Sequence, residues 1–540
     1  MQVTGAWQLV RLAVRRDRVL LPTWIAGIVL MVVVSAPSVL GLYDSEGDRL
    51  TYARAWAGSV VARMFNGPAA GPDTGAIVVA ETSMLLILLT PLMSIFTVVR
   101  HTRQNEETGR SELLGSAIVG RYAVLTAALT VTFAADLAVG AGVAAALVAA
   151  GLAVSGAVVT GAAVALVGMC FAAVAAVSAQ VVGTARGANG TASAVLGVAF
   201  LLRAVGEGLG TVDPGGLTSS TAWPSWLTPL GWVGQVFPFT KNDPLPLLLL
   251  SLGTLAGLVA SVELVARRDV GSGLVAPRPG PAVASRALRS PLGLARRLHR
   301  GAFAGWLASF VTVGIAMGAV TDQVDDMIGG NPEAADLVTQ LGGSDLLVDA
   351  YLTVVMGYFA FFAAGYAVQG TIRLRVEEAF GTAEPVLSGA VSRVRWVASH
   401  LVVVVSGTAA LLLASGLAVG ISYGLVTGDV AAEVPRLLGA ALVQLPAVLV
   451  LTAVVLLVFA VAPSVTSVAG WGLLVVTLLM NQLGELLDLP RVLLDISPFS
   501  HTPRVPAAAV DGVPLVVLCA VALAGGALAL ALLRQRDIPA

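Results

Sequence analysis

The chain has 540 residues, of which 57% are hydrophobic and 12% are charged, and its mean hydropathy is +0.89. A soluble domain carries about 25% charged residues, so this composition excludes the soluble enzymes and predicts an all-α polytopic membrane protein. The formal net charge of −1 averages over the two sides of a membrane, and the charge of each loop has to be considered separately.

Apolar runs along the chain predict twelve transmembrane helices, because a helix that crosses the hydrocarbon needs about 20 mostly apolar residues. The predicted spans lie approximately at 19–43, 79–100, 122–150, 156–182, 190–208, 245–266, 301–320, 349–370, 396–424, 437–462, 465–486 and 514–533. With the N-terminus inside, the cytoplasmic loops contain most of the 31 basic residues, as the positive-inside rule requires, and the acidic segment 321–349 lies outside. We therefore expect a multi-pass protein of a bacterial plasma membrane with both termini in the cytoplasm.

Several residue types are too scarce or too scattered to form common sites. The single lysine, Lys241, lies outside the Gly-x-x-x-x-Gly-Lys-Ser/Thr pattern of a P-loop, so any ATP-driven activity requires another polypeptide. The two cysteines, Cys170 and Cys519, lie in separate apolar runs, which argues against a disulfide. The four histidines have no metal-ligand spacing, and we predict no metal and no cofactor in this chain.

The segment after the second predicted span aligns without a gap with the segment after the eighth. The aligned pairs are Arg103 and Arg375, Glu106 and Glu378, Gly109 and Gly381, Glu112 and Glu384, Ser116 and Ser388, and Arg121 and Arg393. This repeat predicts two duplicated six-helix halves of parallel topology, 1–280 and 281–540, joined by a Pro-, Gly- and Arg-rich linker. Each half opens with a basic amphipathic segment, 5–18 or 290–300, that we expect to lie along the inner interface.

The repeated segments, 100–121 and 371–393, are too polar to span a membrane. If the first is helical, Arg103, Glu106, Glu107 and Arg110 share one face, as suits a short helix that contacts a soluble partner. A charged inner loop also arises from the positive-inside rule alone, but the acidic residues and the second copy favour the partner interpretation. In the second copy, Pro385 predicts a kink.

The Arg-x-x-Glu-x-x-Gly-x-x-Glu-Leu-Leu pattern of residues 103–114, its weaker second copy and the Arg-Arg-Asp-Val-Gly-Ser-Gly run at 267–273 resemble the actinobacterial ABC-transporter permeases of the polyketide-antibiotic, or tetronasin-type, and multidrug efflux class. The resemblance covers essentially the whole chain and implies export of hydrophobic drugs or antibiotics. It also implies two copies of a separate soluble ATPase, which would hold the ATP and Mg²⁺. The coupling residues that it implies are Arg103, Glu106, Glu107, Gly109, Arg110, Glu112, Arg375, Glu377, Glu378, Gly381 and Glu384.

Polar residues inside the spans are candidates for the substrate pathway. Arg203 and Glu207 are four residues apart in the fifth span, and we expect them to pair because an unpaired charge in the bilayer is costly. Asp136 has no local partner and is a candidate for a water-exposed position. The candidate pathway residues are Met84, Phe96, Phe200, Arg203, Glu207, Met356, Phe359, Met480, Asn481 and Glu485. Ordinary packing or lipid contact also accounts for the apolar members.

Two other classes of function fit parts of the sequence. An ion-coupled secondary multidrug transporter would also have twelve spans in two halves, but the spans have no dense set of carboxylates for proton coupling. A membrane-embedded enzyme would need clustered acidic or histidine residues, and the only candidate, 321–349, has no recognisable ligand spacing. We therefore expect a transport permease that binds membrane lipids and a hydrophobic small molecule, with no nucleic-acid partner.

Overall fold

The computed structural model describes residues 3–109, 119–269, 271–275, 280, 282–321, 347–483 and 490–536. Within these ranges the regular structure is helical, and the only β-type pairings are two isolated bridges, which confirms the all-α prediction. Twelve helices of the described part are long and apolar enough to cross a membrane, as the sequence predicts. The chain forms two compact units, Met1–Pro279 and Gly280–Ala540.

The first unit contains six spans and several short helices. Its helices are α1 (Ala6–Arg16), α2 (Leu20–Leu42), α3 (Glu46–Gly58), α4 (Val60–Asn66), α5 (Thr74–His101), α6 (Arg103–Glu107), α7 (Ala123–Ala149), α8 (Val154–Val181), α9 (Ala185–Gly208), α10 (Trp223–Trp226), α11 (Pro229–Gly234) and α12 (Leu245–Ala266). The spans are α2, α5 with α6, α7, α8, α9 and α12. The second and fourth spans, α5 and α8, are the most deeply buried.

The second unit also contains six spans. Its helices are α13 (Pro291–Ala319), α14 (Leu347–Ala379), α15 (Glu384–Leu387), α16 (Arg393–Thr427), α17 (Val430–Val443), α18 (Leu445–Val461), α19 (Thr466–Leu483), α20 (Arg491–Leu494) and α21 (Gly512–Gln535). Here too the second and fourth spans, α14 and the pair α17–α18, are the most deeply buried.

The two predicted amphipathic segments fold differently. In the first unit α1 is a separate helix, because the chain turns at Asp17, whose buried carboxylate contacts His101 (Nε2–Oδ2 2.5 Å) and Arg100 (3.1 Å). In the second unit the prediction of a separate segment at 290–300 is wrong. There Ser290 caps a single helix, α13, which continues without a break to Ala319.

Glycines allow close helix packing within the first unit. Gly140 of α7 and Gly161 of α8 face each other so closely that a Cβ atom on either would collide with the backbone carbonyl of the other. Small residues that let backbones approach are typical of helix pairs in membranes, where dispersion contacts replace much of the hydrophobic driving force. This contact fixes α8 against α7 in the centre of the unit.

At the opposite end of the first unit from the repeated segment, Arg63 of α4 holds the end of α9. Its guanidinium donates to the carbonyl oxygens of Glu207 (3.3 Å), Gly208 (3.2 Å) and Gly210 (3.3 Å). These carbonyls terminate α9, where the helix dipole favours a cation. Burial lowers the pKa of Arg63 from its ordinary value, but the carbonyl acceptors compensate the charge.

Candidate functional site

The repeated segment of the first unit begins where the second span ends. Helix α5 stops at His101, Thr102 adopts a non-helical conformation (φ −109°, ψ −89°), and α6 starts at Arg103. The Arg103 side chain is 1% exposed, and its Nη1 donates to Oε2 of Glu106 at 2.6 Å. The two residues share a helix face, as their spacing predicts.

Glu106 also binds an arginine from the end of the sixth span. Arg268, two residues after α12, donates through Nη2 to Oε1 of Glu106 (2.5 Å) and through Nη1 to Oε2 (2.9 Å). Its Nε donates to Oε1 of Gln180 at 2.6 Å. The fork geometry matches the carboxylate, which is why arginine suits such a pair better than lysine. We call Glu106, Arg103 and Arg268 the first latch.

The first latch is buried and extensively hydrogen-bonded. Its Glu106 and Arg268 side chains are 10% and 8% exposed. Arg103 donates to the carbonyl oxygens of Ala179 (3.0 Å) and Ser272 (2.9 Å), so the guanidinium groups have further acceptors besides the carboxylate. Loss of one member of a buried ion pair is strongly destabilising, because the remaining charge stays in a poorly solvated site. The latch therefore joins the ends of the second, fourth and sixth spans.

The second unit makes the same contact at the aligned positions. Arg536, just after α21, donates through Nη2 to Oε1 of Glu378 at the end of α14. Its Nη1 donates to the carbonyl oxygen of Phe459 at 2.5 Å, and the guanidinium lies 4.8 Å from the centre of the Phe459 ring. We call Glu378 and Arg536 the second latch. In both units a glutamate at the end of the second span binds an arginine after the sixth.

A second pair of aligned arginines also binds the end of the sixth span. Arg121 donates to the carbonyl oxygens of Val265 (2.8 Å) and Ala266 (2.8 Å), which end α12. Arg393, which aligns with Arg121, donates to the carbonyl oxygen of Arg536. Cations at a helix C-terminus satisfy orphan carbonyls and complement the dipole. Each repeated segment is thus attached to the sixth span at both of its ends.

Two aligned glycines end the helix that carries each glutamate. Gly109 has φ +71° and Gly381 has φ +67°. Glycine occupies this left-handed region at little cost, and such a residue commonly follows the last turn of a helix. The same backbone turn therefore follows Glu106 and Glu378.

The second repeated segment, 371–393, is not the kinked helix that the sequence predicts. Helix α14 continues from the membrane through Ala379, and only the four residues of α15 are helical before α16. The chain turns at Gly381, and Pro385 lies in the first turn of α15, where its missing N–H costs nothing, so it causes no kink. In the first copy, Arg110 and Glu112 lie outside the described residues.

The other predicted coupling residues differ in exposure. Glu107 is exposed, and its Oε2 accepts a hydrogen bond from the backbone N–H of Ala185 (3.0 Å). Glu384 is exposed at the start of α15, and Arg375 is partly buried. Phe380, which was not among the residues predicted from the sequence, follows α14 and is 76% exposed. The exposed tips after the second span of each unit are thus acidic, and the second tip also carries an aromatic ring.

Glu377 lies in a buried cluster that joins three spans of the second unit. Its carboxylate contacts Arg373 (3.0 Å) and Nε2 of His400 (3.5 Å). Nδ1 of His400 lies 3.1 Å from Nε2 of His299 on α13. Within the described part of the chain, no group of three or more His, Cys, Asp or Glu side chains is arranged to hold a metal ion. The cluster connects the α14 tip to α13 and α16.

Within each unit, the described pathway candidates differ in burial and in the cavities that they border. Arg203 and Glu207 pair as expected (Nε–Oε1 2.9 Å) and are buried, and Arg203 borders a cavity of about 60 Å³ in the first unit with Trp56 and Phe237. Phe200 is partly buried 5.9 Å from the Arg203 guanidinium, Met84 is partly buried and Phe96 is 41% exposed.

Met356 and Phe359 are buried in the core of the second unit. Met480 and Asn481 border a different cavity, of about 160 Å³, in that unit, and Glu485 is outside the described residues.

Asp136 is not exposed to water, contrary to the expectation from the sequence. It is fully buried between α5, α7 and α8, and its Oδ1 accepts a hydrogen bond from Ser94 Oγ at 2.7 Å. Gly168 makes room for it, since a Cβ there would lie 2.8 Å from the carboxyl carbon. The hydroxyl partner is on another helix, which is why no local partner is visible in the sequence.

Comparison with known proteins gives two matches. Residues 288–534 match the family model described as the C-terminal domain of the multidrug efflux system permease Rv1217c. The whole chain is similar to the multidrug efflux system permease protein Rv1217c of Mycobacterium tuberculosis, with 42% identity over 538 residues that cover 99% of this chain and 95% of that protein.

Proposed function

Because the chain belongs to the family of multidrug efflux permeases, we propose that it is the membrane-spanning subunit of an ATP-driven ABC exporter that expels hydrophobic drugs or antibiotics. Family membership and the twelve candidate spans already make it a multi-pass transport permease rather than an enzyme. The proposal adds the energy source, the direction of transport and the partner. ATP and Mg²⁺ would be held by two copies of a separate ATPase, one for each unit.

The absence of a P-loop sequence supports a separate ATPase. The only lysine, Lys241, lies in Phe-Thr-Lys-Asn-Asp, and no Gly-x-x-x-x-Gly-Lys-Ser/Thr run occurs in the chain. We therefore assign phosphate binding of that kind to the proposed ATPase subunits. The distribution of arginine favours cytoplasmic termini, and with this orientation both latches would lie on the side of the membrane where ATP is available.

The observation that carries the proposal is the pair of matched latches. An exposed tip that follows the second span is linked through Glu106 or Glu378 to the end of the sixth span of the same unit. Such a link moves two spans together when a partner displaces the tip. Glu107 on the first tip, and Phe380 and Glu384 on the second, are the exposed residues that we assign to partner contact. A partner shifts the conformational equilibrium only by its different affinity for the two states.

The first experiment is gentle solubilisation of the full chain from its native membrane, followed by identification of the proteins that copurify in fixed proportion. We expect a soluble P-loop ATPase at two copies per chain, with ATP hydrolysis stimulated by hydrophobic drugs. Recovery of the chain alone across mild detergents and with nucleotide present would contradict the proposal. Efflux that survives ATP depletion but collapses with the proton gradient would instead establish the ion-coupled secondary transporter.

A variant of the exposed tip tests the proposed contact surface. Phe380→Ser should reduce the amount of copurified ATPase without lowering the melting temperature of the permease, because the ring has few contacts within the chain. The matched control is Trp223→Ser, an aromatic residue that is 72% exposed and follows the fifth span on the predicted outer side. Equal loss of ATPase in both variants, or no loss in either, would remove Phe380 from the contact surface.

A further inference from the structure

An open groove lies beside the amphipathic helix of the first unit. It has a volume of about 610 Å³ and runs between α1, the end of the second span and the start of α7. Its apolar wall is formed by Leu9, Leu12, Ala13, Val124, Ala127 and Ala128. Arg15, Arg16, His101 and Asn105 form its polar side, and Arg16 donates to Oδ1 of Asn105 at 2.7 Å. We call this the first groove.

The second unit has a groove of similar size beside its own first helix. Its volume is about 520 Å³, and it lies between α13, α14 and α16. Arg296 and Arg300 of α13 line it together with His299, whereas its other wall is mostly apolar and is formed by residues of α16. Tyr366 also lines it, and the buried Tyr366 hydroxyl has no hydrogen-bond partner among the described residues. We call this the second groove.

Both grooves combine the features that an anionic amphiphile requires. A wall of apolar side chains suits an acyl chain, and a pair of arginines at one side suits a phosphate, to which guanidinium binds in a planar fork. Basic pockets between the inner ends of transmembrane helices are typical sites for anionic headgroups. The unpartnered Tyr366 hydroxyl adds a donor that the ester carbonyl of a lipid would satisfy.

We propose that each groove binds one anionic phospholipid of the inner leaflet, with its phosphate at the arginine pair and one acyl chain along the apolar wall. The assignment to the inner leaflet rests on the orientation proposed above. The site borders the repeated segments, because His101 and Asn105 line the first groove, and His299 in the second contacts His400, which contacts Glu377. Lipid in the first groove therefore touches the segment that we assign to coupling, and lipid in the second groove reaches it through His299 and His400.

The test is native mass spectrometry of the full chain in detergent, titrated with phosphatidylglycerol or with phosphatidylcholine of identical acyl chains. We expect two tightly held phosphatidylglycerol molecules and no tight phosphatidylcholine. Arg15→Gln with Arg16→Gln should remove one of the two, and Arg296→Gln with Arg300→Gln should remove the other. Each arginine near an anionic lipid contributes roughly a five-fold gain in binding, so each double variant should bind at its groove roughly 25-fold more weakly.

Matched controls separate the grooves from general basic charge. The control variants remove the same number of exposed arginines from the neighbouring sequence without touching either groove; they are Arg11→Gln with Arg18→Gln, and Arg289→Gln with Arg297→Gln. Equal retention of phosphatidylglycerol and phosphatidylcholine by the wild-type chain would overturn the proposal. Equal loss of bound phosphatidylglycerol in groove and control variants would also overturn it. An unchanged melting temperature in all four variants verifies that they fold. Since the lipids are counted on the isolated chain, the result is independent of the proposed energy source.

Discussion

Replacement of Glu106 by glutamine tests the first latch directly. The amide has the same shape as the carboxylate, so packing is preserved while the negative charge is removed. Two guanidinium groups, of Arg103 and Arg268, then share a site where their side chains are 1% and 8% exposed, with no anion between them. The variant therefore measures the charge interaction rather than a cavity.

The expected loss follows from burial and from the acceptors that remain. Breaking a buried ion pair by removing one partner costs about 3–5 kcal/mol. Arg103 keeps the carbonyl oxygens of Ala179 and Ser272 as acceptors, and Arg268 keeps Gln180. We therefore expect Glu106→Gln to lower the free energy of unfolding by about 3 kcal/mol, the lower end of this range. In Glu106→Gln with Arg268→Gln the second guanidinium is also gone. The stability loss of the double variant should therefore be about 1–2 kcal/mol smaller than the sum of the losses in the two single variants.

The measurement is a double-variant cycle on the full chain in detergent, with the shift of the unfolding midpoint as the readout. Glu263 and Arg267 provide the matched control, because they form an ion pair (2.7 Å) at the C-terminal end of α12, close in sequence to Arg268, but their side chains are 59% and 67% exposed. Neutralising this exposed pair should change stability by less than about 1 kcal/mol. The two cycles therefore differ in burial while the residue types are the same.

Two results would refute the reasoning. If Glu106→Gln and Glu263→Gln lower the midpoint equally, burial does not determine the strength of the first latch. If the two single variants at the latch are additive, Glu106 and Arg268 are not coupled, whatever their distance. Either result would also remove the mechanical link on which the coupling proposal depends.

Substitutions can also probe three other contacts of the first unit. Arg63→Gln should lower stability by about 2–3 kcal/mol, because charged donors to the α9 carbonyls are lost; an unchanged melting temperature would contradict this. Gly161→Val should lower the free energy of unfolding by about 1–3 kcal/mol, because its side chain collides with Gly140, and this loss should be visible as a lower yield of monodisperse protein. Gly161→Ala should lower stability less. Glu207→Gln leaves Arg203 buried without its anion and should lower the free energy of unfolding by about 3 kcal/mol. Arg203→Gln in the same chain should restore part of this loss, and a double variant less stable than Glu207→Gln alone would exclude this pairing.

Apolar periodicity predicted the spans well because the requirement of about 20 apolar residues is severe. The predicted spans 19–43 and 245–266 differ little from α2 and α12. The prediction was poorer where a span continues as a polar helix beyond the bilayer. Helix α14 extends to Ala379, and α13 begins at Pro291, because helix formation in a packed unit does not end where hydropathy falls.

The alignment predicted which residues correspond but not what they contact. Glu106 and Arg268 are 162 positions apart, and Glu378 and Arg536 are 158 apart, so no local spacing reveals either pair. The similar separations of the two pairs are the signal that could have found them, since both arginines stand in an Arg-Asp dipeptide after the last span of their half. The exposure of Phe380 depends on where α14 ends, which hydropathy did not predict.

Each latch is closed entirely by residues of its own unit, and this has an evolutionary consequence. A break in the gene near residue 280 would separate no glutamate from its arginine, so fission into two six-span chains, or fusion of two such chains, leaves both contacts unchanged. Selection then acts on Glu106 with Arg268, and on Glu378 with Arg536, as two independent pairs. Among homologues, loss of a charge at one position should be accompanied by loss at its partner, while the other pair is free to remain.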